Sequence, residues 1–180
     1  MKLLARAAVV GALRDELEKH GSWAGETHVQ KSAFFLQEAA GVPLGYDFIL
    51  YKHGPFSFDL RDDLSAFRAD GLMGLSPQAP YGPRLITTER GHFLQTRFPK
   101  TLGRYSRQID QVASFIGAQG VGELERLGTA LLLLKSHPEW SDSRLAAEMC
   151  RLKPHVSESR ALASISRVRD FLHRVVPAQD

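Results

Sequence analysis

Apolar residues recur at spacings of three and four over most of this 180-residue chain, and that spacing restricts the fold to one built mainly of helices. The segments with this pattern include residues 2–20, 101–117, 124–134, 145–152 and 157–176. Each of them stops at or near a glycine or a proline, the residues that most often end a helix. We therefore predict a helix over each of these five segments.

Two further helices are indicated by residues suited to a helix start. Thr27 and Gln30 have the spacing of a capping box, in which a hydroxyl and an amide each satisfy a free backbone N–H. Ser57 can cap another helix through its hydroxyl group. These positions predict a second helix that ends near Gly41 and a third that ends near Gly71.

The N-terminal half also carries signals for β-structure. Residues 46–51 are rich in β-forming side chains and predict one short strand, which is followed by a Gly-Pro turn within residues 52–55. Residues 72–75 and 84–87 predict the two strands of a β-hairpin. The stretch 76–83 between them contains three prolines and one glycine, so it predicts a wide tip.

The order helix, helix, strand, helix, hairpin is that of a winged-helix domain. We predict an α+β fold that is mostly α, with a winged-helix-like core and small β-hairpin wing over residues 1–98. A C-terminal helical extension over residues 99–180 packs on that core. The heptad-like helices 101–117 and 157–176 leave two alternatives open, since they can pack against each other in one chain or form a homodimer interface.

Several functional classes are disfavoured by what the sequence lacks. Cys150 is the single cysteine, which excludes an internal disulfide and favours a reducing compartment, so we predict a cytoplasmic protein. No apolar run reaches the roughly 18 residues of a membrane span, so no membrane partner is predicted. The common nucleotide, metal and hydrolase motifs do not occur, and we predict no cofactor, no metal site and no catalytic residue. One minor acid–base candidate is His53 with Asp59, Asp62 and Asp63.

The net charge of +3 conceals an uneven distribution. The third predicted helix holds four aspartates against Arg61 and Arg68, and an acidic helix would be repelled by DNA phosphates. Residues 84–107 carry a local charge of +5, and Tyr81 just before them could stack on a base. The basic side chains are Arg84, Arg90, Arg97, Lys100, Arg104 and Arg107. They indicate either a phosphate-binding surface or a solvated face.

Two motifs carry a family resemblance. The sequence HVQKSAFFL at residues 28–36, followed by YKHGPFS at residues 51–57, resembles the YwgA-like proteins, which look similar to the Panacea group of phage-associated antitoxin domains. The resemblance covers residues 1–98 best. It implies a winged-helix-like core, cytoplasmic residence and no established catalysis. In the Panacea branch it implies neutralising a protein toxin or acting as an adaptor.

We therefore predict a non-catalytic module that binds an unidentified partner protein through the acidic third helix and the turn before it. The predicted partner-binding residues are Lys31, Lys52, His53, Gly54, Pro55, Ser57, Asp59, Asp62 and Asp63. The alternative is a DNA-binding transcriptional regulator that contacts phosphates through the wing and the basic segment 84–107.

Overall fold

Helices dominate the computed structural model, which describes residues 1–78 and 81–178 without the side chains of residues 78 and 81. Over these residues the chain forms eight helices and two separate antiparallel hairpins. The fold is therefore α+β and mostly helical, as the apolar spacing predicts. Within the described part of the chain, no helix combines the length and the apolar character needed to cross a membrane.

The first two helices, α1 (Leu3–Lys19) and α2 (Glu26–Glu38), are largely buried. The predicted bounds of α1 are confirmed within a residue or two. The capping box predicted for α2 is wrong, since the N-cap is Gly25 and no side chain bonds to the first turn. Gln30 instead bonds to the backbone of Ser57, so a tertiary contact has taken the place of the local one.

A small hairpin forms where the sequence predicted a single strand and a turn. β1 (Ile49–Tyr51) pairs with β2 (Gly54–Phe56), and Ile49 lies opposite Phe56. The chain reverses at Lys52 and His53. Gly54 follows with a φ of +85°, a conformation that favours glycine. The Gly-Pro pair therefore opens the second strand, and the turn lies just before it.

The third helix and the second hairpin follow directly. α3 (Phe58–Ala69) begins as predicted, with the Ser57 hydroxyl accepting a hydrogen bond from its first turn. β3 (Met73–Gln78) and β4 (Tyr81–Thr87) form the predicted hairpin. The strands are longer than predicted, because pairing continues past an irregularity at Pro77, which has no N–H to donate, and residues 79–80 of the predicted wide tip lie outside the described residues.

Five helices make up the rest of the described chain. They are α4 (Glu89–Thr96), α5 (Pro99–Ile116), α6 (Val121–Ser136), α7 (Asp142–Leu152) and α8 (Glu158–Arg174). The last four confirm the predicted helices within a few residues. α4 was not predicted from the sequence. It is capped by Thr88 and has Gly91 as its one buried residue, so it carries little apolar periodicity.

The N-terminal and C-terminal helices share one hydrophobic core. α1 and α2 both pack against α5, and α2 also packs against α6. At the far side, the stacked rings of Phe115 and Phe171, 4.4 Å apart, join α5 to α8 and contact Phe35 of α2. The two heptad-like helices therefore meet within one chain, and the homodimer stays a prediction.

Candidate protein-binding site

The β1–β2 hairpin is joined to α2 by a buried amide. The Gln30 Nε2 donates to the Ser57 carbonyl at 2.9 Å, and the Ser57 N–H donates to Gln30 Oε1 at 3.0 Å. Both residues are almost completely buried, so water cannot replace these bonds. The same serine caps α3, and Gln30 therefore fixes the hairpin and the helix relative to α2.

Lys31, the next residue of α2, passes under the hairpin between two glycines. It is 2% exposed, and its Nζ donates to the Pro55 carbonyl at 2.7 Å. A Cβ atom at Gly128 of α6 would lie 3.0 Å from Pro55 Cδ, and one at Gly54 would lie 3.2 Å from the Glu125 carbonyl oxygen, while both would be in van der Waals contact with Lys31. The two glycines thus allow the lysine, the hairpin and α6 to approach closely.

A second buried lysine joins the hairpin to the C-terminal helices. Lys153 Nζ lies 2.6 Å from Glu125 Oε1 and also donates to the Lys52 carbonyl. Burial lowers the pKa of Lys31 to about 8, an effect that Glu125 opposes and Lys153 reinforces. Both buried lysines therefore depend on the carboxylate of Glu125 as their counter-charge.

The outer side of the hairpin carries a cluster of aromatic rings. The ring centroids of Tyr51, Phe56 and Phe58 lie 5.2–5.7 Å apart. Tyr51 is 45% exposed, Phe58 39% and Ile49 50%, and Ile49 lies opposite Phe56 on the ladder. We call this cluster of Ile49, Tyr51, Phe56 and Phe58 the hairpin face. Large apolar side chains grouped at the surface mark sites of interaction more often than single ones do.

A cavity of about 260 Å³ opens beside the hairpin face. Tyr51, His53 and Phe56 line it on the hairpin, and Gln30 and Lys31 line it on α2. Its volume suits a single large side chain. The cavity therefore offers a binding partner a recess next to the exposed rings.

Eight of the nine predicted partner-binding residues divide into two groups. Lys31, Gly54, Pro55 and Ser57 are buried and hold the hairpin in place, so they do not reach the surface. Lys52, His53, Asp59 and Asp62 are exposed around the hairpin and the start of α3.

Asp63 lies apart from both groups. Its carboxylate is 2.8 Å from an Arg6 nitrogen and accepts a hydrogen bond from the Tyr46 hydroxyl at 2.9 Å. Burial and this carboxylate raise the pKa of Tyr46. Asp63 therefore links α3 to α1, a structural contact.

The minor acid–base constellation is not assembled. The charged neighbour of His53 is Glu125, with Nδ1 3.9 Å from Oε2, and His155 Nε2 lies 3.9 Å from the same oxygen. The cavity that His53 lines includes neither Asp59 nor Asp62. Among the described residues, no three metal-ligating side chains at the hairpin bring their ligand atoms within 4.8 Å of one another.

The basic segment is exposed for most of its length. Arg84 differs from the others, because it pairs with Glu18 of α1. The side chain of Tyr81 lies outside the part of the chain that the structure describes. The other basic residues are exposed and pair with no acidic group of the described residues; they are Arg90, Arg97, Lys100, Arg104 and Arg107.

The residues that complete the site were not predicted from the sequence. Glu125 and Lys153 lie far from the hairpin in sequence, and the exposure of Tyr51 and Phe58 is a property of the folded chain. One signal was present, since Glu125 is a charged residue at the start of the apolar run of α6. A charge in such a position requires a buried partner.

Comparison of the chain with protein-family models gave no match, and comparison with curated proteins gave no significant match. The resemblance to the YwgA-like and Panacea groups therefore stays a prediction.

Proposed function

We propose that this chain is a non-catalytic module that binds a partner protein on the hairpin face. The observation that carries the proposal is the exposure of Tyr51 and Phe58, which cluster with the half-buried Phe56 on a hairpin whose base is fixed by buried polar contacts. Aromatic side chains contribute most strongly to protein interfaces when they are held rigidly, because little conformational entropy is lost on binding.

The edge of the hairpin face formed by α3 favours a basic residue of the partner, whereas the turn of the hairpin carries the exposed Lys52. Asp59 and Asp62 are exposed on the first turns of α3, directly beside Phe58. Arg61 lies over the Phe58 ring and pairs with Asp62 at 2.8 Å, so one acidic charge there is partly compensated. Phosphates would be repelled by the remaining acidic groups, whereas lysine or arginine side chains would be attracted.

The predicted regulatory role, antitoxin-like or adaptor-like in the cytoplasm, belongs to this proposal. So does the winged-helix arrangement, in which α3 precedes the β3–β4 hairpin as a recognition helix precedes a wing. In this interpretation the acidic α3 faces a protein, since its charge is unsuited to a DNA groove.

Site-specific photocrosslinking in the native cell tests the proposal. A photoreactive phenylalanine analogue at position 51 or 58 should give the same discrete protein adduct. The matched control is position 93 on α4, where Phe93 is 65% exposed and lies outside the hairpin face.

The crosslinked partner is then purified and its affinity measured. Tyr51→Ala and Phe58→Ala should each weaken binding by about 2 kcal/mol, or about 30-fold in Kd, whereas Phe93→Ala should leave it unchanged. No adduct at position 51 or 58, or equal weakening by Phe93→Ala, would overturn the proposal.

A second candidate function is DNA binding through the basic segment. The observation that favours it is the row of exposed, unpaired basic residues on α4 and α5, three of which are spaced four and three apart at Lys100, Arg104 and Arg107. Affinity for duplex DNA should then fall steeply with salt, and Arg90→Ala/Arg97→Ala/Arg104→Ala should reduce the slope. Arg84→Ala serves as the comparison, because that guanidinium already pairs with Glu18. Unchanged DNA retention by the triple variant would contradict this second function.

A further inference from the structure

Three metal-ligating side chains converge where α1 packs against α5. Glu16 lies in the last turn of α1, His20 is the residue that caps the C-terminal end of this helix, and Asp110 lies on α5. His20 Nε2 is 3.1 Å from Asp110 Oδ1 and 3.8 Å from Glu16 Oε1. One ligand atom from each residue lies within 4.8 Å of the others, and no other three such residues in the described part of the chain meet this separation.

These separations are close to those of a tetrahedral metal site. Zinc bonds of about 2.0–2.2 Å place neighbouring ligand atoms about 3.3–3.6 Å apart, a range that the two separations from His20 Nε2 bracket. We propose that Glu16, His20 and Asp110 form a zinc-binding site with three protein ligands and a fourth position open to solvent. An imidazole nitrogen in the set disfavours Mg²⁺ and Ca²⁺, which take oxygen ligands.

The surrounding residues hold the ligands in position. A Cβ atom at Gly117, just after α5, would lie 2.7 Å from His20 Cβ, so the glycine allows α5 to approach His20 closely. Lys19 Nζ lies 2.6 Å from Glu16 Oε2 and leaves Oε1 directed toward His20. An outer partner of this kind fixes the orientation of a ligating carboxylate.

The local charge favours a dication. Two carboxylates with a neutral imidazole carry −2, and Lys19 compensates one of these charges. The site is also accessible, since the side chains of Glu16, His20 and Asp110 are 23%, 32% and 61% exposed.

Calorimetric titration of the tag-free, full-length protein with zinc chloride tests the proposal. We expect one zinc ion per chain and a Tm that rises with zinc, because the ion links two helices of the folded state. His20→Ala and Asp110→Asn should each weaken binding by at least about tenfold, the least that loss of even an outer-shell partner costs. His92→Ala is the matched control, since the ring of His92 lies 3.6 Å from the Asp15 carboxylate without belonging to the proposed ligand set.

Three outcomes would overturn the proposal. They are no saturable zinc binding by the wild-type protein, unchanged binding in Asp110→Asn, and loss of binding in His53→Ala/His155→Ala instead. Asp110 is the most exposed of the three ligands, so Asp110→Asn should keep the fold. If His20→Ala unfolds, zinc binding by Asp110→Asn decides whether the site exists. A zinc-dependent NMR shift of the His20 ring, absent in Asp110→Asn, would support the site directly.

Discussion

The two hairpins of this protein are held in place in different ways. The β1–β2 hairpin has strands of three residues, too short to be stable alone, and its base depends on the buried side chains of Gln30 and Lys31. The β3–β4 hairpin has longer strands, and its contacts to α1 combine a buried bond from Arg14 Nε to the Leu85 carbonyl at 2.6 Å with the half-exposed pair Arg84–Glu18 and a bond from Thr87 to Asp15. The shorter element therefore depends more heavily on the rest of the fold.

This difference bears on function. A hairpin fixed by buried contacts can present exposed aromatic rings without losing much entropy on binding. The half-exposed pair Arg84–Glu18 on the second hairpin is more sensitive to salt than the buried contacts are, because solvent screens its charges. Perturbing each set of contacts tests whether the comparison is correct.

The largest effect should come from Glu125. We expect Glu125→Gln to lower the free energy of unfolding by about 3–5 kcal/mol, because Lys153 and Lys31 would remain buried without a counter-charge. Glu123→Gln is the matched control on the same helix. Its partners Arg126 and Arg167 are partly exposed, so we expect the free energy of unfolding to fall by about 1 kcal/mol or less. Urea denaturation measures both, and equal losses would contradict the distinction between buried and exposed contacts.

Removing the buried amide should have the next largest effect. Gln30→Ala leaves the buried N–H of Ser57 without a partner and removes one of the two bonds to its carbonyl, which still accepts from the Arg61 N–H; we expect this to cost about 2–3 kcal/mol. Gln37→Ala is the comparison from the same helix, since it bonds to the more exposed backbone of Gly45 and Tyr46, where water can replace it. The hairpin would be independent of α2 if Gln30→Ala were no more destabilising than Gln37→Ala in thermal and urea unfolding.

The buried Lys31 should make stability depend on pH. Its pKa is about 8 in the folded protein and 10.5 when exposed, so between these values the unfolded chain binds more protons and stability rises with pH. Relative to Lys31→Met, the wild-type protein should gain about 2 kcal/mol between about pH 7.5 and 9.5. Urea denaturation of both proteins at several pH values measures this difference, and a difference that does not change with pH would show that Lys31 is solvated.

The smallest effect should come from the second hairpin. Arg84→Ala removes a half-exposed ion pair with Glu18, so we expect a loss of less than about 1 kcal/mol. The loss should shrink further in high salt, since screening already weakens the pair. A loss as large as that of Gln30→Ala would mean that the half-exposed ion pair contributes as much to stability as the buried amide does.

Much of the helical framework could be predicted from the sequence because it depends on local periodicity. The spacing of Leu102, Ile109 and Ile116 predicts α5, and Ser57 predicts the start of α3. α4 was missed because its exposed surface gives no apolar pattern. The capping box at Thr27 was wrong because Gln30 has a distant partner that its neighbours in sequence do not reveal.

The candidate sites likewise combine features that the local sequence indicates with features that only tertiary contacts create. The motif at residues 51–57 directed attention to the first hairpin, but the sequence could not show that Lys31 supports it from below or that Tyr51 and Phe58 lie exposed together. The proposed zinc ligands were missed for a similar reason, since His20 and Asp110 are 90 residues apart.

The sequence by itself determined which segments are helical and where the chain can turn, since these follow from apolar spacing, capping side chains and the conformations of glycine and proline. Only the tertiary structure decided which polar groups are buried and which aromatic rings face solvent. Those properties depend on packing between residues such as Lys31 and Gly128, which are distant in sequence and meet only when the core closes around them.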